Sequence, residues 1–145
     1  MIKSRLYSLS SALLIVCLIS SCKKLDKVLI KKEGDWNITR IYQKYTDPDT
    51  TENFEETDVS PDMKIIFTDD GKGYFAVVGS GNTYFNWTAD DHASTLTLTD
   101  PSAFVPIIVY DVTNQKTNSM NLKYPLTTLI SGGAFTQEMD LERTK

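Results

Sequence analysis

Two hydrophobic patterns follow one another along this chain. Residues 6–19 are apolar or small and carry no charge, and from Gly34 onwards apolar and polar residues alternate in short runs separated by turn residues. The first run is short for a membrane span, which needs about 20 residues. Lys3 and Arg5 precede it, and a short apolar run behind a basic flank reads as the core of an export signal. A buried core helix would show charges along one face, and this segment has none.

The second pattern reads as strands. Trp36, Ile38, Arg40 and Tyr42 alternate with Asn37, Thr39, Ile41 and Gln43. Residues 63–68 run into Asp69-Asp70-Gly71-Lys72-Gly73, a hairpin signal because Asp and Gly accept positive φ. Residues 74–78, 83–88, 94–99, 107–112, 119–124 and 135–142 continue the series. Short polar turns separate most of them, and Asp100-Pro101 closes one strand because proline cannot donate to a ladder. About eight strands and no helical period predict an all-β domain. Its expected form is a small antiparallel up-and-down β-barrel, with a two-sheet β-sandwich as the alternative. Eight strands enclose an interior that side chains fill or that holds one small ligand.

The apolar segment ends in Ile19-Ser20-Ser21-Cys22, which resembles the bacterial lipobox. The resemblance implies that the Cys22 thiol takes a diacylglycerol, that cleavage falls before it, and that the new amino group is acylated. The chain then divides into a signal peptide (1–21), a lipidated N-terminus and tether (22–33) and a folded domain (34–145). Lys23 stands where an Asp would be associated with inner-membrane retention, so the expected location is the cell envelope, at the outer membrane. The tether, KKLDKVLIKKE from residue 23, reads mainly as a solvated charged linker. Its Val28, Leu29 and Ile30 are also able to form a turn that plugs one end of the domain, and its lysines can approach anionic headgroups.

Export changes what the composition means. Without Lys3 and Arg5 the 15 basic residues become 13 against 19 acidic ones, a net charge of −6. An acidic domain is a poor nucleic-acid partner, because a phosphate backbone calls for a basic stripe. Cys17 leaves with the signal and Cys22 carries lipid, so the domain relies on its core rather than on disulfides.

Candidate chemistry is sparse. The single histidine, His92, sits between Asp90-Asp91 and Ser94 in a predicted turn, and a tight turn cannot aim all three at one substrate atom. No mature cysteine nucleophile, zinc-protease motif or phosphate loop is present, so the expectation is no enzyme, no catalytic residue and no cofactor. Residues 46–61 carry Asp47, Asp49, Glu52, Glu55, Glu56 and Asp58 and no basic residue. This reads as a solvated flexible loop without calcium-loop spacing, and no metal is expected.

Gly34-Asp35-Trp36 opening the first strand is similar to the G-x-W motif of lipocalins, whose tryptophan closes the barrel floor. Phe67 with Asp70-Gly71-Lys72-Gly73 resembles the hairpin of small bacterial lipocalin-like lipoproteins. So do Tyr84-Phe85-Asn86-Trp87-Thr88 and the later Leu96-Thr97-Leu98. The family also carries a late arginine over the tryptophan, and Arg143, near the chain end, is the one candidate. The resemblance covers nearly all of 34–145 and implies a lipocalin-like barrel that binds a small hydrophobic molecule. The expected lining is Trp36, Ile38, Phe67, Phe75, Phe85, Trp87, Leu96, Leu98, Met120 and Leu122, with loops 46–61 and 100–106 at the open end. The alternative is a structural or interaction module with a filled core that binds a protein or glycan through its loops. An enzyme inhibitor is a third and weaker class.

Overall fold

The computed structural model describes residues 24–47, 53–59, 61–100, 107–128 and 132–144, with only the backbone of 126–128. The signal segment, Cys22 and the acidic residues Asp49 and Glu52 lie outside the described residues. Among the described residues the elements are a helix α1 (Leu25–Ile30), a 3₁₀ turn (Lys31–Gly34) and nine strands. The strands are β1 (Asp35–Thr46), β2 (Phe54–Val59), β3 (Met63–Phe67), β4 (Lys72–Val77), β5 (Thr83–Asp90), β6 (Thr95–Thr99), β7 (Ile107–Thr113), β8 (Ser119–Thr128) and β9 (Ala134–Arg143).

Each strand pairs antiparallel with the next from β3 to β9, and β9 returns to pair with β1. That closure makes an eight-stranded barrel of β1 and β3–β9, with β2 as an extra strand. The sandwich alternative is excluded, because a continuous ladder runs from Trp36↔Arg143 to Thr46↔Ala134 where a sandwich would have open edges. Closure satisfies the hydrogen bonds of what would otherwise be edge strands.

The strand phases agree with the sequence for most of the chain. Phe85 and Trp87 face inward on β5, and Leu96 and Leu98 on β6. β1 departs from the expected simple alternation. Its register against β9 shifts by one residue between Ile38 and Arg40. Such a bulge flips every later side chain to the opposite face. Trp36 and Ile38 point inward, but Ile41 and not Arg40 continues the inward row, opposite buried Met139. Arg40 is turned outward, where its guanidinium grips Asp140 at 2.6 Å and 3.2 Å.

The stretch 46–61, expected as a flexible loop, contains β2. It pairs with the second half of β1 from Arg40↔Val59 to Tyr45↔Phe54, while β3 takes the first half from Asp35↔Ile66 to Asn37↔Lys64. All six β2 residues are exposed. The strand buries nothing, so it lacks the apolar alternation that marks the others. Its side chains are held by Phe54 stacking on Tyr45 at 5.7 Å and by Lys44 against Glu55 at 3.4 Å.

The stretch read mainly as a linker also folds. Leu25, Val28 and Leu29 of α1 are buried with the barrel core. Asp91, from the distant β5–β6 turn, accepts the backbone N–H of Leu25, one of the donors that a helix start leaves unpaired. A six-residue helix is not stable by propensity alone, and the barrel end on which it packs holds it.

Candidate functional site

The antiparallel meander gives the barrel two unlike ends. At the lower end lie the start of β1, the end of β9, the turns after β3, β5 and β7, and helix α1. At the upper end lie the loops after β1, β4, β6 and β8.

The lower end is closed around Trp36, which is fully buried. Its indole N–H donates to the Leu29 carbonyl at 2.9 Å. The guanidinium carbon of Arg143 lies 4.1 Å from the centre of the Trp36 ring, and Arg143 donates to the carbonyls of Val28, Lys31 and Thr117. Burial lowers the Arg143 pKa, and the group stays charged, as a guanidinium does in proteins. One cation therefore ties α1, the 3₁₀ turn and the β7–β8 turn to the face of one indole. Gly34 makes the arrangement possible. Its φ is +68°, and a Cβ there would sit 1.8 Å from the Phe67 carbonyl oxygen, so the residue before Asp35-Trp36 has room for hydrogen alone.

Above this floor the inward face is filled. The ten residues expected as ligand lining all face inward. Nine are buried in the continuous core and Phe75 is partly buried against it. Their aromatic rings touch one another, with Phe67 5.5 Å from Trp87 and 5.9 Å from Phe85, and Phe75 5.1 Å from Phe85. At Gly73 an added Cβ would meet the Phe85 ring at 2.4 Å, so glycine is what lets that ring lie flat on β4.

Higher on the same face the packing loosens. Ile41, Gln43 and Tyr45 on β1, Ile108 on β7, Tyr124 on β8, and Phe135 and Gln137 on β9 are half-buried. Their registers place them on the inward side with Tyr110. Tyr124 stands 6.1 Å from Tyr110 and 6.2 Å from Phe135. Tyr110 is 3 % exposed, and its hydroxyl donates to Gln137 Oε1 at 2.9 Å. Burial, reinforced by neighbouring Tyr124, raises the Tyr110 pKa, so the phenol is neutral. This aromatic tier with one buried polar pair was not singled out from sequence. Ile41, Gln43 and Tyr45 reach it only because of the bulge, and Tyr110 and Gln137 meet only because β7 and β9 curve to opposite sides of β8.

The lower end also carries an open notch lined by Lys24, Leu25, Val28, Asp90, Asp91, His92, Ser94 and Lys116 among others. The Asp90 carboxylate there accepts the backbone N–H of His92 at 2.8 Å and of Ala93 at 3.2 Å. It shapes the turn rather than orienting an imidazole. Among the described residues no group of three His, Cys, Asp or Glu side chains is gathered as for a metal ion.

Fold and site together define an end-plugged, eight-stranded antiparallel barrel with an aromatic upper tier. No protein-family model matches the sequence, and no curated protein matches it. Among solved structures the chain is similar in backbone course to bovine odorant-binding protein. Its deswapped triple mutant matches with 14% identity and a TM-score of 0.43 over 77% of this chain and 72% of that one. Its complex with a selenium-containing odorant matches with 14% identity and a TM-score of 0.45 over 85% of this chain and 74% of that one.

Proposed function

We propose that this chain is a lipid-anchored envelope protein whose barrel binds a small hydrophobic molecule through its upper end, without catalysis. The binding part rests on one observation, the change in burial along a single inward face. The lower tiers pack ring against ring, whereas the upper aromatic tier is half-buried around the Tyr110–Gln137 pair. Ligand sites are mostly apolar with a few placed polar groups, and the upper tier has that make-up. The anchoring part rests on the basic flank, the apolar run and Ile19-Ser20-Ser21-Cys22. Lys24 follows Cys22 by two residues and opens the plugged end, so an anchor at Cys22 holds the floor towards the membrane and turns the upper end away from it.

Native mass spectrometry of the exported chain with Cys22→Ser tests the carrier reading. A reproducible adduct of a few hundred daltons, lost on denaturation, is the expected result. A bare mass, with no thermal shift against fatty alcohols, sterols or haem, overturns it. Labelling with a radioactive fatty acid that is lost in Cys22→Ser tests the anchor separately.

A second reading, an interaction module, is favoured by the outer face of β5–β7. Tyr84, Ile107 and Val109 are exposed there beside Thr88, Thr97 and Thr99. Cross-linking from this face to an envelope protein, together with a bare native mass, would favour it.

A further inference from the structure

We infer that the upper end of the barrel selects an uncharged hydrophobic ligand bearing one hydrogen-bond acceptor and rejects anions such as fatty acids. The inference deepens the carrier reading and rests on it.

The argument is one of charge placement. Among the described residues at the upper end, which lie within 46–47, 53–59, 61–63, 77–83, 99–100, 107, 124–128 and 132–135, none is Lys, Arg or His. These residues include Asp47, Glu55, Glu56, Asp58, Asp62 and Asp100. On β2, Glu56 lies opposite Gln43 and Asp58 opposite Ile41, so these two carboxylates share the face of the inward row. The basic residues nearest the upper end face outward and are already paired. Arg40 is held by Asp140 at 2.6 Å, Lys44 by Glu55 at 3.4 Å, Lys64 by Asp35 at 3.0 Å and Lys123 by Glu138 at 3.0 Å.

A carboxylate entering the upper tier would lose water, meet no cation on the inward row and face the carboxylates of Glu56 and Asp58. Burial of an unpaired charge is strongly unfavourable. A hydroxyl, ether or carbonyl is treated differently. The Tyr110 hydroxyl donates a hydrogen bond to Gln137 Oε1, and the amide nitrogen of Gln137 carries N–H donors suited to a neutral oxygen. The aromatic neighbours Tyr124 and Phe135 take the apolar body.

The test uses the mature chain from residue 22 with Cys22→Ser and two matched probe pairs, 1-decanol against decanoate and 2-naphthol against 2-naphthoate, titrated calorimetrically at pH 7.5. The neutral member of each pair is expected to bind about tenfold or more tighter than its carboxylate. Gln43→Arg, which places a cation on the inward row, is expected to raise the affinity for each carboxylate relative to that for its alcohol. Carboxylates binding as well as the alcohols would overturn the charge selection and leave the carrier reading standing. Binding of neither class up to millimolar concentration would remove the carrier reading itself, and this inference with it.

Discussion

At the floor of the barrel Trp36 and Leu29 are fully buried and Arg143 is 5 % exposed, each fixed by a hydrogen bond or ring contact. Further up the same inward face, Tyr45, Tyr124 and Phe135 are half-buried, with Tyr45 stacked on Phe54 and Tyr124 6.1 Å from Tyr110 and 6.2 Å from Phe135. Both regions are aromatic. The difference is that the floor has a lid made from the chain itself, helix α1, and the upper end has none among the described residues. Aromatic composition therefore does not distinguish a core from a site; what covers the rings does.

The sharpest way to break the comparison is to remove the floor. Trp36→Ala is expected to cost about 3–5 kcal/mol, the usual range for a large aromatic lost from a packed core. Gly34→Ala should be comparably severe, because strain at positive φ and a clash with the Phe67 carbonyl act together. Urea unfolding followed by far-ultraviolet circular dichroism measures both, and a loss under about 1 kcal/mol would show that the floor is not the stability centre.

Arg143→Ala comes next, at about 2–4 kcal/mol, because it leaves three carbonyls and one indole face without their cation. Arg143→Lys should recover less than half of this, since an ammonium lacks the planar fork. The same unfolding curves decide it.

At the upper end the order of effects inverts. Tyr124→Ala should change stability by about 1 kcal/mol or less and weaken decanol binding about tenfold. Equal losses of stability and binding would mean that Tyr124 is core and the two regions are alike.

The smallest effect belongs to the outer wall. The hydrogen bond from Arg40 and, less strongly, that from Asn121 hold Asp140 below the ordinary carboxylate pKa. A depressed folded pKa means that this pairing contributes fully above the unfolded value of about 4 and fades as pH falls through the lower folded value. Thermal unfolding from pH 6 to pH 2 should show that loss, and Asp140→Asn should flatten it. Its size at pH 7 is about 1 kcal/mol or less, because both partners are partly exposed.

Much of this architecture was legible in the residues. The alternation at Phe85 and Trp87 or Leu96 and Leu98 identifies strands and their inward faces, and Asp70-Gly71 marks a hairpin because few other residues tolerate its backbone. Read from sequence, Arg143 is only a candidate for the arginine over Trp36 because of its place near the chain end, and its guanidinium carbon lies 4.1 Å from the centre of that ring. The rest was not legible for definite reasons. A one-residue bulge after Ile38 has no compositional sign, so the phase of β1 beyond it is wrong by one when read from sequence. β2 is solvated on both faces and shows no alternation. α1 is six residues long and is folded by the surface it covers.

The alternation that marks most of the strands, the turn residues between them and the acidity of residues 46–63 are properties of the sequence by itself. They depend on neighbours along the chain or on residue identity alone. Closure of β9 onto β1, the turning of Gln43 and Tyr45 to the inside, and the meeting of Tyr110 with Gln137 were decided only in the tertiary structure. Each depends on residues brought from opposite parts of the chain by the curvature of the barrel.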